Sequence, residues 1–193
     1  DWFVLYPYNS HIISPANVAA GYLPVGGKAG NPQVQTGNSN MAHIAGPNYP
    51  MWGVAMGVES QELPYVRMTH LSSLVEVVVT NNAGVEAKVK SLSMAAAEDI
   101  TGTYYIDFTT DEPTFEGSGD IYVSNEVKLN VVEGEYIPAG ESATFYFAIK
   151  PFTAHAGDFL SLSVNGAEKT YELTEDVIFA PGKIKTLTFS LDE

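Results

Sequence analysis

Apolar residues recur at every second position through most of this chain, in short segments divided by turn-forming residues. Val75, Val77 and Val79 alternate with Glu76 and Val78, and Asn81-Asn82-Ala83-Gly84 then turns the chain. Val85, Ala87 and Val89 follow with the same period, after which the apolar phase moves to Leu92 and Met94. A phase shift inside one strand predicts a β-bulge at Ser91, because one extra residue exchanges the two faces. Tyr104/Ile106/Phe108, Ile121/Val123, Val127/Leu129/Val131 and Phe145/Phe147/Ile149 continue the pattern, and Leu187/Phe189/Leu191 closes it. Leu160/Leu162/Val164 leads into Asn165-Gly166, the strongest short hairpin signal. A two-residue loop there sets Val164 opposite Ala167 and Leu160 opposite Tyr171.

Half-buried strands at this spacing predict an all-β fold, an antiparallel sandwich or barrel of about seven core strands. Only a short turn near Ala95 to Asp99 reads as helical. Residues 9 to 63 differ: Gly26-Gly27, Gly30-Asn31-Pro32 and Gly46-Pro47 break any period. They predict a long irregular excursion with short strands around Met51-Trp52-Gly53, packed to the body by Tyr22, Tyr49 and Trp52. Trp2-Phe3-Val4-Leu5-Tyr6 reads as a strand that begins almost at residue 1, far shorter than a membrane span. So abrupt a start predicts upstream residues beyond those given. The expected organisation is one domain over 1–193: a first strand plus the excursion in 1–63, and the main strands in 64–193.

Two echoing segments, Ile137-Pro138-Ala139-Gly140 and Phe179-Ala180-Pro181-Gly182, each precede an amphipathic strand. A glycine-containing turn feeding a strand accounts for both without a duplication.

Charge narrows the choice of partner. The 193 residues carry 9 Lys+Arg against 23 Asp+Glu, a net charge of −14, and no cysteine. A nucleic-acid surface needs clustered Lys and Arg, so that class is excluded. Without cysteine there is no disulfide framework, thiol nucleophile or thiolate metal site. Eleven acids and one base, Lys128, fall between residues 98 and 141, which predicts a solvated outer face. A calcium site around Asp107, Asp111 and Glu112 would need a D-x-D-x-D-G loop that the sequence lacks.

The search for catalytic chemistry is negative. No G-x-S-x-G elbow occurs; Gly140-Glu141-Ser142-Ala143-Thr144 lacks the second glycine. His11, His43, His70 and His155 are isolated, without H-E-x-x-H or H-x-H spacing, and His70 reads as a packing position. Gly26-Gly27-Lys28 lacks the remainder of a phosphate loop. The carboxylate pairs Glu112/Glu116 and Glu133/Glu135 lack an aromatic cleft signature. No catalytic, cofactor-binding or metal residue is nominated, and no cofactor is expected.

Taken in order, several segments resemble the fimbrillin-like surface proteins of Gram-negative gut and oral anaerobes. The carriers are Phe3-Val4-Leu5-Tyr6-Pro7-Tyr8, Met51-Trp52-Gly53, the stretch from Val66-Arg67-Met68-Thr69-His70-Leu71 to Val75, and Val89-Lys90-Ser91-Leu92-Ser93-Met94 with Ile100-Thr101-Gly102. Phe179-Ala180-Pro181-Gly182-Lys183 before Leu187-Thr188-Phe189 completes the set. The resemblance implies an antiparallel Greek-key sandwich of transthyretin-like type, exported to the outer membrane surface or a fimbrium. It also implies a lipoprotein precursor whose anchor lies outside this chain, so that membrane contact comes only through that anchor. Assembly would follow β-strand addition, in which an open edge takes an extended strand from another subunit. The expected function is a non-enzymatic fimbrial or adhesion subunit whose partners are other pilus subunits or cell-surface proteins. The apolar faces at Val75, Val77, Val79, Tyr104, Ile106, Phe145 and Phe147 would line the core or the acceptor groove. The alternative is a monomeric lipid-anchored module that binds glycan or host matrix, with Tyr22, Tyr49 and Trp52 as ligand-contact aromatics.

Overall fold

The fold is given by a computed structural model that describes residues 2–7, 20–25, 31–45, 48–55, 59, 65–107, 114–117 and 123–192. In chain order the strands are β1 (Trp2–Tyr6), β2 (Ala20–Val25), β3 (Gln33–Thr36), β4 (Met51–Ala55) and β5 (Thr69–His70). The long β6 (Ser73–Asn81) and β7 (Ala87–Ala96) follow, then β8 (Thr101–Asp107), β9 (Thr114–Gly117) and β10 (Val123–Ser124). β11 (Glu126–Ile137), β12 (Ser142–Ile149), β13 (Phe152–Ala154), β14 (Phe159–Val164), β15 (Ala167–Glu172), β16 (Val177–Phe179) and β17 (Ile184–Leu191) complete the chain. No α-helix occurs among the described residues. The stretch expected to turn helically, from Ala95, is instead the end of β7 followed by a bend.

Two sheets form the sandwich. One has the order β15-β14-β7-β11-β3 and the other β12-β6-β17. Val75, Val77 and Val79 of β6 and Phe145 and Phe147 of β12 are wholly buried, against Leu92, Met94, Leu129, Leu162 and Val164 of the facing sheet. Burial of each such side chain contributes about 1.5–3 kcal/mol, so this layer holds the two sheets together. These five residues of β6 and β12 are therefore core. Tyr104 and Ile106 stand on β8, in a separate sheet with β2, β9 and β10, and their side chains lie outside the described residues.

Several local expectations hold in detail. The hairpin register is Val164↔Ala167 and Leu160↔Tyr171. The β7–β11 ladder does break beside Ser91, but the extra residues lie on β11 and not in β7: pairing passes from Asn130↔Ser91 to Glu135↔Val89, so residues 131–134 face Lys90 alone. Glu133 and Gly134 take positive φ of 59° and 76° to absorb the extra length. The two echoing turns flank β6: Gly140 N–H donates to the Asn81 carbonyl at its end, and Gly182 N–H to the Ser72 carbonyl just before its start. They launch β12 and β17 on opposite sides of β6.

Two expectations need correction. The sandwich is mixed, not purely antiparallel, since β17 runs parallel to β6 and β3 parallel to β11. Residue alternation reports which face is buried and carries no information on strand direction. The excursion, expected to be irregular, contributes β2 and β3 as well as β4, the expected Met51-Trp52-Gly53 segment. β3 lacks the apolar alternation because its buried residues are Gln33 and Gln35, while Val34 is exposed.

β4 lies between β1 and β5 in a small sheet. Gly53 is buried at that junction, where a Cβ would stand 2.6 Å from the Arg67 carbonyl oxygen, so only glycine permits the approach.

Candidate functional site

A sandwich has two long seams where edge strands of facing sheets meet, and here they are finished differently. At one seam β3 faces β12. The amide of Gln33 accepts from Ala148 N–H at 2.9 Å and donates to the Ala148 carbonyl at 2.6 Å. Gln35 accepts from Tyr146 N–H at 2.9 Å and donates to the Thr144 carbonyl at 3.0 Å. Asn38 Oδ1 takes Thr144 N–H at 2.8 Å, and His43 Nε2 donates to the Tyr146 carbonyl at 2.9 Å. Every outward N–H and C=O of Thr144, Tyr146 and Ala148 is thereby satisfied. Side-chain amides carry one donor and one acceptor side by side, as a peptide group does, and can stand in for a neighbouring strand.

The segment after β3 continues over the outer face of β12. Ile44 is buried with Leu74, Tyr146 and Ala148, and Tyr49 packs against this group. Tyr49 stacks on His70 with ring centroids 3.8 Å apart. Burial lowers the pKa of both His43 and His70 and raises that of Tyr49. Nδ1 of each histidine is buried without a hydrogen-bond partner, so the neutral imidazole fits each site. Both histidines thus serve packing, as expected for His70. Burial, with Glu76 second, raises the Tyr146 pKa; its hydroxyl lies 3.4 Å from Glu76 Oε1.

At the opposite seam β15 and β17 are the terminal strands of their sheets. Between them lies an open groove of about 300 Å³ lined by Leu160, Leu162, Tyr171, Leu173, Val177 and Leu187, with Lys185 also contributing. Among the described residues, two side chains reach across it. Tyr171 Oη lies 3.4 Å from the Thr188 carbonyl, and Lys169 Nζ lies 5.8 Å from the Phe189 ring centroid. This is an apolar slot bounded by two strand edges that have no neighbouring strand among the described residues.

The nominated aromatics do not form a described cluster. Tyr49 gives a ring face to His70, Trp52 is half-buried on β4 opposite Leu5 and Thr69, and Tyr22 stands on β2 opposite Tyr105 with its side chain outside the described residues. His11, Asp111 and Glu112 also lie outside the described residues, as do the side chains of Asp107 and Glu116. Glu133 is exposed and Glu135 half-buried at the bulge, and His155 pairs with Asp176 at 3.3 Å on the surface. Backbone and His155 hydrogen bonds lower the Asp176 pKa. Among the described residues no group of three His, Cys, Asp or Glu side chains is arranged to hold a metal.

No family model matches the chain, and no curated protein matches it in sequence. Solved structures do. A candidate cell adhesion protein of Bacteroides ovatus is 14% identical with a TM-score of 0.52, over 97% of this chain and 62% of that one. Another from Bacteroides uniformis is 14% identical with a TM-score of 0.53, over 97% of this chain and 66% of that one. The chain shares their fold. It spans a little under two thirds of their length, and the shared all-β architecture is consistent with the fimbrillin-like resemblance.

Proposed function

We propose that this chain is a non-enzymatic cell-surface adhesion subunit, exported to the outer membrane surface or a fimbrium, that assembles by β-strand addition along the β15–β17 seam. The observation that carries the reading is the contrast between seams: one edge is finished by side chains, while the other leaves an apolar groove between two strands that each lack a strand partner on the outer side among the described residues. An added strand would place alternate apolar side chains against Tyr171, Leu173, Val177 and Leu187 and take main-chain bonds from an open edge. The fold shared with candidate cell adhesion proteins supports the adhesion part. The other reading, a monomeric lipid-anchored module for glycan or host matrix, would use Tyr22, Tyr49 and Trp52, and Tyr49 already has one ring face covered.

Leu187→Asp tests the proposal by setting a carboxylate in the half-buried wall of the groove. In cells that display the protein, detergent-resistant assemblies should disappear while the variant stays folded and exported. Undiminished assembly would refute use of this seam. Substrate turnover by the purified chain, lost on mutating one carboxylate, would refute the non-enzymatic reading.

A further inference from the structure

Asn165-Gly166 is a structural turn and also a chemically labile pair. Asn165 has φ 50° and Gly166 φ 88°, the left-handed conformations of a tight two-residue hairpin. The Asn165 side chain is turned onto β7 and fills the break in its ladder. Oδ1 accepts from Lys90 N–H at 2.8 Å and Ser91 N–H at 3.3 Å, and Nδ2 donates to the Lys88 carbonyl at 2.7 Å. Asn165 N–H also donates to the Ser91 carbonyl at 2.9 Å. Lys90 is the residue that faces the four-residue bulge of β11, so the asparagine amide supplies bonding that β11 does not.

We propose that Asn165 is a self-modification site gated by the fold. It is held while the β14–β15 hairpin is docked on β7 and reacts with its own chain once the hairpin lifts away. Gly166 N, losing its proton to water, attacks Asn165 Cγ. A new N–C bond forms, the Cγ–Nδ2 bond breaks, and ammonia leaves with the proton, giving a five-membered imide. Water then opens either imide C–N bond and yields aspartate or isoaspartate at position 165. The net change is addition of water and loss of ammonia, with no redox step. Gly166 has no side chain to hinder the approach, and asparagine is among the thermolabile residues.

In the docked state the amide must first release its three bonds to β7 before it can swing toward Gly166. The product also fits the site poorly. Aspartate can still accept from Lys90 and Ser91, but it has no donor for the Lys88 carbonyl and sets a carboxylate oxygen against it. Isoaspartate adds a backbone carbon to a two-residue turn and shifts the β14–β15 register, which carries Tyr171 opposite Leu160 in the groove wall. Modification at the turn is therefore transmitted to the groove through one hairpin. The chemistry at position 165 does not depend on strand addition.

The test follows conversion at residue 165 by peptide mapping and mass in the full chain at mildly alkaline pH, folded and in urea. The folded chain should convert at least about tenfold more slowly, because reaction then waits on local opening. Leu160→Ala, which loosens the hairpin where Leu160 meets Ala96, should raise the folded-state rate, and Gly166→Ala should slow conversion in urea. Equal rates in the folded and urea-unfolded chain would overturn the proposal. A faster folded rate would overturn it too, since the Lys90 and Ser91 N–H groups would then be stabilising the oxyanion formed at Cγ. Failure of Leu187→Asp to abolish assembly would leave these rates untouched.

Discussion

The two seams of this sandwich meet the same physical problem with opposite outcomes. A sheet edge presents unpaired N–H and C=O groups and an opening to the core. At the β3–β12 seam, glutamine, asparagine and histidine side chains bond each outward group of Thr144, Tyr146 and Ala148. At the β15–β17 seam, the Tyr171 and Lys169 side chains are the ones among the described residues that bridge the gap, and leucines line the space below. One edge is thus closed to strand pairing by covalently attached mimics of a strand. The other, among the described residues, has no strand on the outer side of β15 or β17 and an apolar groove between them. The difference teaches that an edge is protected by satisfying its backbone, whichever groups supply the bonds.

The largest expected effect comes from breaking the closed seam. Gln33→Leu with Gln35→Leu keeps apolar bulk but strips partners from both Ala148 groups and Tyr146 N–H; the Thr144 carbonyl keeps Ser39 N–H. At about 1–3 kcal/mol per buried unsatisfied group, the double variant should lose about 3–9 kcal/mol in urea unfolding. A loss below about 1 kcal/mol would show that the glutamine bonds do not hold this seam.

A smaller effect is expected from pH, again confined to the closed side. Burial holds His43 and His70 below their ordinary pKa of 6.5, so the unfolded chain binds protons more readily than the folded one. Stability is therefore full above that value and falls as pH drops through it toward the folded-state pKa. His43→Gln, which can still donate to the Tyr146 carbonyl, should flatten part of this fall in a Tm-against-pH series. An unchanged profile would place the titrating group elsewhere. The Asp176 shift acts in the same sense but in a more acidic window, with stability present above its unfolded pKa of 3.8 and lost as pH falls below it.

The smallest effect belongs to the open seam. Tyr171→Phe removes one long bond to Thr188, so stability should change by only about 0.5 kcal/mol. If the seam receives a strand, assembly by this variant should equal or exceed that of the wild type. A large loss of stability would mean that Tyr171 closes the seam instead of spanning it loosely.

The parts legible in the sequence were those whose buried side chains are apolar. The valines of β6, the phenylalanines of β12, the phase shift at Ser91 and the Asn165-Gly166 register all follow from side-chain period and turn chemistry. β3 escaped because Gln33 and Gln35 invert the usual rule, placing polar groups inside and Val34 outside. Gln-Val-Gln-Thr does alternate, but nothing local shows that its amides will meet β12, more than a hundred residues away. The groove escaped for a related reason: Leu160, Leu162 and Leu187 read as ordinary core positions. Leu160 and Leu162 are indeed buried, and the slot beside them depends on which strands end the two sheets.

By itself the sequence determined the all-β class, the faces of the long strands, the hairpin register and the charge balance that rules out nucleic acid. Each depends on neighbours in the chain or on simple sums over it. Strand direction, the order within each sheet, the amide-sealed edge and the groove opposite were decided only by tertiary structure. Those features rest on contacts between distant segments, and alternation along one strand carries no record of the strand beside it.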